Sequence, residues 1–329
     1  MQCLKFSITK SLFYVITYLL LSYVKGEPDR IAGGEPIKEG EDEYFIQLLI
    51  AYYVFNSTTA AMVYCGASLI HTKWILTAAQ CFKRKRMTPP NMFADGWVRA
   101  YTGNKIVTSI QIQRPFQYVL RAHLHPKYTF KEIGKNQFVE FDVAVAELKK
   151  PFKRKIQIIN LPLSGNTQLC TVGTIIGVEK TYEDSTDLVQ YPRIRVKTKD
   201  QLSIKLPYDH PTIFYSEVKW LRRHPWLLNY GGPFVCNNGG FAIQHGVTSL
   251  VKQYRRIVIS QYEEVKNYIW FIKHYVPLGV SRMNLQERNV EYINNTKHLP
   301  QKVKSSSVQR SYSFMSIGVN AILYLKEHF

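Results

Sequence analysis

Between residues 27 and 280 the apolar stretches are short, and they are rich in Val, Ile, Tyr and Phe. Residues 44–53, 66–76, 143–148 and 241–250 are examples, and turn-forming residues break the chain between them. β-Branched and aromatic side chains suit a pleated, half-buried surface. The pattern predicts an all-β sandwich or barrel rather than alternating βαβ units. Within 263–275 the apolar residues fall at Val265, Tyr268, Ile269, Phe271, Ile272 and Tyr275. That three-and-four spacing predicts an amphipathic helix closing the domain. The 329 residues, 46% of them hydrophobic and 20% charged, suffice for one large domain or two medium ones. This composition excludes disorder, collagen and coiled coil as whole-chain answers. Lys and Arg outnumber Asp and Glu by 43 to 24, a net charge of +19, which points to acidic partners and says nothing about fold.

The two ends differ from this body. Lys5 and Lys10 precede a 13-residue apolar run over 12–24, too short to span a bilayer but suited to the core of a secretory signal peptide. The reading is a signal peptide over 1–26, with an uncleaved anchor as the alternative. Its removal takes Lys5, Lys10, Lys25 and Cys3, leaving four of the five cysteines for an oxidising compartment. Two glycosylation triplets, at Asn56 and Asn294, fit a secreted, extracellular chain. From 281 to 329 the sequence has little periodicity until an apolar segment at 314–325. As a helix that segment is about 18 Å long, short of a hydrocarbon core of roughly 30 Å. It reads as a short docking helix or as a weak lipid-anchor signal, which the charged residues after it fit poorly.

Four segments carry a more specific signal. They are Arg30-Ile31-Ala32-Gly33-Gly34, then Cys65-Gly66-Ala67-Ser68-Leu69-Ile70 running on to Thr77-Ala78-Ala79-Gln80-Cys81, then Phe141-Asp142-Val143-Ala144-Val145-Ala146-Glu147-Leu148 preceded by His125-Pro126-Lys127-Tyr128, and Asn229-Tyr230-Gly231-Gly232-Pro233-Phe234-Val235-Cys236. In order and separation they resemble the chymotrypsin-like (trypsin-like) serine protease family. The resemblance implies two six-stranded antiparallel β-barrels with a cleft between them and a C-terminal α-helix. It implies a propeptide over 27–30, activation by cleavage between Arg30 and Ile31, and a protease domain over 31–280. It also implies the disulfides Cys65–Cys81 and Cys170–Cys236, each contributing about 2–4 kcal/mol.

The sequence departs from the family where the chemistry sits. Gln80 occupies the position of the general-base His and Tyr230 that of the nucleophilic Ser, while Asp142 matches the triad Asp. An amide has no lone pair basic enough to activate a hydroxyl, and a phenol, with a reference pKa of about 10, would place its oxygen beyond the serine position. Losing nucleophile or base in this logic costs about 10⁶ in kcat, roughly 8 kcal/mol. Leu228 stands where the family places an oxyanion-hole Gly. Asn229 replaces the Asp that pairs with the new N-terminal amine, so a buried charge pair becomes a charge–dipole contact. Trp226 stands where a pocket-bracing Cys would lie, and His224 nominally at the pocket floor.

A buried carboxylate needs partners. Gln80 can donate to Asp142, and Ser249 stands where the family places another donor, so Gln80–Asp142–Ser249 reads as a structural remnant. The remaining histidines show neither nucleophile–base nor metal-ligand spacing, and no metal or other cofactor is expected. Lys83-Arg84-Lys85-Arg86 falls in a loop rimming the family's cleft, with further basic residues at 149–155. The loop is either an exosite for an acidic protein or acidic glycan, or a set of solvated charges. The expectation is a secreted serine protease homologue without catalysis (a pseudoprotease). It would bind an extracellular protein, such as an active protease or inhibitor, with no nucleic acid and no stable membrane span. The rivals are an active endopeptidase with an unconventional site and an extracellular adhesion module.

Overall fold

The computed structural model describes residues 35–53, 60–83, 98–103, 115–133, 136–154, 156–163, 167–178, 188–206, 209–219, 230–238, 240–255 and 257–278. The strands in chain order are β1 (Glu35–Pro36), β2 (Phe45–Tyr53), β3 (Ala60–His71), β4 (Trp74–Thr77), β5 (Val98–Tyr101), β6 (Phe116–Leu124), β7 (Thr129–Ile133) and β8 (Asn136–Glu140). They continue with β9 (Ala144–Leu148), β10 (Val172–Val178), β11 (Leu188–Arg195), β12 (Ile213–Lys219), β13 (Pro233–Asn238), β14 (Phe241–Tyr254) and β15 (Ile257–Glu264). One short helix, α1 (Ile269–Tyr275), follows.

The apolar runs become strands whose β-branched and aromatic residues are buried over consecutive positions, on both faces of the sheet. Ile46, Leu48 and Ile50 on β2 are fully buried, as are Ile75 and Leu76 on β4 and Ala144, Val145, Ala146 and Leu148 on β9. Strands β2-β3-β4-β9-β6-β5 close into a six-stranded barrel, all pairs antiparallel. The run at 66–76 is two strands, not one, because Thr72 and Lys73 turn the chain between β3 and β4.

The second half is a sheet in the order β1-β11-β10-β13-β14-β15-β12. It curls into a half-barrel, and among the described residues an isolated bridge joins Lys197, just beyond β11, to Tyr215 of β12. Its centre is aromatic: Phe214, Phe234 and Tyr262 pack with ring centroids 4.9–5.1 Å apart. The disulfides Cys65–Cys81 and Cys170–Cys236 tie one half each. The hairpin β7–β8 leaves the first barrel and touches the second half, where Gln261 Nε2 donates to the Val139 carbonyl at 3.2 Å.

The helix is shorter than the periodicity predicts. Glu263 and Glu264 belong to β15, paired with Val247 and Gly246 of β14, so sheet hydrogen bonds claim the first residues of that segment. A 3₁₀ turn, Val265–Tyr268, then leads into α1. The apolar stripe nevertheless faces inward: Val265, Tyr268, Phe271 and Ile272 are all buried. Among the described residues no helix is long and apolar enough to cross a membrane.

Candidate functional site

Strand β4 aims the chain into the seam between the halves. Thr77 anchors its end by donating to the Gly66 carbonyl at 2.7 Å. Ala78 stays extended, and a 3₁₀ turn, Ala79–Cys81, then points Gln80 inward while Cys81 is held to Cys65. From the other side Asp142 is delivered by Phe141, a non-glycine residue at φ 53°. A left-handed Phe costs on the order of 1–2 kcal/mol. The ring's surroundings hold it there: it stacks on His125 with centroids 5.2 Å apart and meets His210 edge-on at 4.6 Å.

Asp142 has no solvent exposure. It accepts from the Gln80 backbone N–H at 2.7 Å, from Gln80 Nε2 at 2.5 Å and from Ser249 Oγ at 3.0 Å. Burial pushes its carboxyl up to about 6, against the opposing pull of the donors from Gln80, Ser249 and the Ala79 backbone. Gln80 Nε2 also donates to the Ser249 carbonyl. That carbonyl is available because the β14–β15 register slips between Thr248 and Leu250, leaving Ser249 out of the ladder. Both amide hydrogens of Gln80 are therefore directed at Asp142 and Ser249, and the side chain offers no base.

Tyr230 lies beside this group through its backbone. Its carbonyl accepts from Gly66 N–H at 2.8 Å and sits 3.9 Å from Cys81 Sγ, one residue beyond Gln80. Its side chain is half-buried and packs on the main apolar core. Gly231 turns at φ 80° and donates to the Thr248 carbonyl at 2.7 Å. The backbones approach so closely that a Cβ on Gly66 would lie 2.8 Å from Gly232 Cα.

Sequence reasoning missed Glu263. It is fully buried on β15, and its Oε1 accepts from the Asp142 backbone N–H at 3.1 Å. Its Oε2 accepts from Tyr268 Oη at 2.5 Å and Thr212 Oγ1 at 3.0 Å. Burial, and then the charge of Asp142, push its carboxyl up to about 7. The one signal for it in the sequence is a carboxylate pair, Glu263-Glu264, set between apolar Tyr262 and Val265.

Among the described residues no histidine is hydrogen-bonded to Gln80, Asp142 or Ser249. His125 is buried among Phe141, Tyr268, Trp270 and Phe271, and burial lowers it to about 4. His210 Nδ1 lies 2.8 Å from Thr212 Oγ1, a hydroxyl that also reaches Glu263 Oε2. Of the basic loop, Lys83 is described and exposed. Arg84, Lys85 and Arg86 lie outside the described residues, as do Arg30, Ile31, Asn56, Asn294, His224, Trp226, Leu228, Asn229, the segments 1–26 and 27–30, and the tail 281–329. No group of three or more metal-ligating side chains occurs among the described residues.

The family profile described as Trypsin matches residues 31–272. The chain belongs to the trypsin family. A snake venom serine protease homolog from Protobothrops jerdonii is 23% identical over 228 residues, covering 67% of this chain and 77% of that protein. Transmembrane protease serine 9 from Rattus norvegicus is 28% identical over 141 residues, 42% of this chain and only 11% of that much longer protein. As a trypsin-family domain the chain has the fold that positions a Ser-His-Asp triad, with Gln80, Asp142 and the backbone of Tyr230 gathered at one seam.

Proposed function

We propose that this chain is a secreted, catalytically inactive trypsin-family protein that works by binding in an extracellular proteolytic pathway. The observation that carries this reading is Gln80, whose amide hydrogens go to Asp142 and to the Ser249 carbonyl. A general base must accept a proton from the nucleophile; here the equivalent side chain is a donor locked in place. The phenol of Tyr230 replaces the serine hydroxyl. A relative that carries the word homolog in place of plain protease supports the same reading. Secretion rests on the apolar run at 12–24 and on two disulfides, which persist in oxidising compartments. In this reading residues 1–26 are a signal peptide, 27–30 a propeptide, 31–280 the binding domain and 281–329 an extension. Lys83-Arg84-Lys85-Arg86 would meet an acidic protein partner, such as an active protease or inhibitor, or an acidic glycan.

A fluorophosphonate probe is expected to leave the disulfide-bonded chain unlabelled under conditions that label trypsin fully. Labelling that disappears in Tyr230→Ala would overturn the reading. A Tyr230→Ser, Gln80→His double variant is expected to remain far below trypsin in activity, since Leu228 and Asn229 still occupy the oxyanion and activation positions.

A further inference from the structure

Asp142 and Glu263 meet at the seam, joined through a peptide hydrogen bond, and among the described residues neither is in an ion pair. The Asp142 backbone N–H bridges directly to Glu263 Oε1. Lys73 and Arg121 pair with Glu147, Lys131 with Glu140, Arg154 with Glu43, Lys197 with Glu217 and Lys266 with Glu264. The surrounding titratable groups are known element by element. Tyr268, at the end of the 3₁₀ turn, donates to Glu263. His125 and His210 flank Phe141, and Lys127 lies over the Phe141 ring at 5.7 Å. Asp209 is engaged by Tyr215, and Glu264 by Lys266 and Asn267.

We propose that Asp142 and Glu263 form a one-proton pair, in exchange with solvent through Tyr268, Thr212 and His210, that makes the fold lose stability as pH rises from the acid side towards neutrality. Two fully buried carboxylates, linked through the Asp142 N–H, cannot both ionise without a large desolvation cost. The donors decide where the proton sits. Asp142 faces Gln80 N–H, Gln80 Nε2 and Ser249 Oγ, whose amide hydrogens cannot be withdrawn, so it keeps the charge. Glu263 Oε2 faces only hydroxyls, and a hydroxyl can donate or accept. With Oε2 protonated, the chain can reverse, since Tyr268 Oη lies 3.0 Å from Thr212 Oγ1 and Thr212 Oγ1 lies 2.8 Å from His210 Nδ1. His210 is half-buried and carries the path to the surface.

The sign follows from linkage. Both acids are raised in the folded chain. The folded state therefore holds a proton that the unfolded state has already lost, and that advantage disappears as pH climbs through the raised values. His123, His125 and His245, all lowered by burial, act in the opposite sense on the acidic side. The comparison that isolates the pair is wild type against Glu263→Gln, in which the histidine contributions cancel. Chemical denaturation of the full disulfide-bonded chain between about pH 5 and 8 should show the variant gaining on wild type, its relative folding constant rising up to about tenfold per pH unit below about 7. A ratio that stays flat across this range would overturn the proposal. Infrared spectra of the wild type supply a readout that needs no variant. A protonated-carboxyl stretch present at about pH 6 and gone by about pH 8 is expected, and its absence at about pH 6 would equally sink the pair.

Discussion

Gly231→Ala is expected to remove about 5 kcal/mol, a large share of the stability of an ordinary domain. Gly231 sits at φ 80°, where an alanine costs about 1 kcal/mol by itself. The larger part is overlap. An added Cβ would stand 2.1 Å from Thr77 Oγ1, 2.3 Å from the Gly66 carbonyl and 3.0 Å from Ala78 N. Two of those atoms are backbone and cannot swing aside, and Thr77 is already tied to the Gly66 carbonyl. Separating the strands would break that bond and the one from Gly66 N–H to the Tyr230 carbonyl, each worth about 1 kcal/mol. Gly240 is the control: it has φ 86° but nothing within 4 Å of its would-be Cβ, so Gly240→Ala should cost only the backbone term, about 1 kcal/mol. Denaturation midpoints of the two variants test the account, and comparable losses at both sites would refute it.

Asp142→Ala is expected to cost about 3–5 kcal/mol at neutral pH. The substitution strands the Gln80 N–H, one Gln80 amide hydrogen and the Ser249 hydroxyl in a pocket without solvent. Relief of the carboxylate's own desolvation offsets only part of that. Asp142→Asn keeps one acceptor and should lose less. Thermal melts of both variants decide it, and an alanine variant as stable as wild type would mean that the group is not structural.

The closed barrel was legible because its short runs are rich in β-branched and aromatic residues and three of the four family motifs run into described strands. Gln80–Asp142–Ser249 was legible because a buried carboxylate demands donors and the motifs place two nearby. Glu263 was not, since strand alternation assigns a face but cannot tell that a neighbouring barrel's backbone N–H will be waiting there. The helix began later than its periodicity because β15 continues through Glu264, and apolar spacing carries no record of which residues a sheet will claim. The openness of the second half, where Lys197 bridges to Tyr215, is likewise a matter of pairing between distant strands.

The seam itself has a consequence for how the molecule comes apart. Its ties are polar and buried from both sides: Gln80 to Ser249, Asp142 to Glu263, Ser68 to Gln244, Gly66 to Tyr230 and Val139 to Gln261. An apolar seam can part at a cost that grows smoothly with exposed area, but each of these pairs leaves a donor and an acceptor unmet as soon as it opens. These ties couple the two halves, although each has its own apolar centre. The expected result is that the domain opens as one cooperative unit, with the backbone amides of Gln80 and Asp142 among the slowest to exchange with solvent.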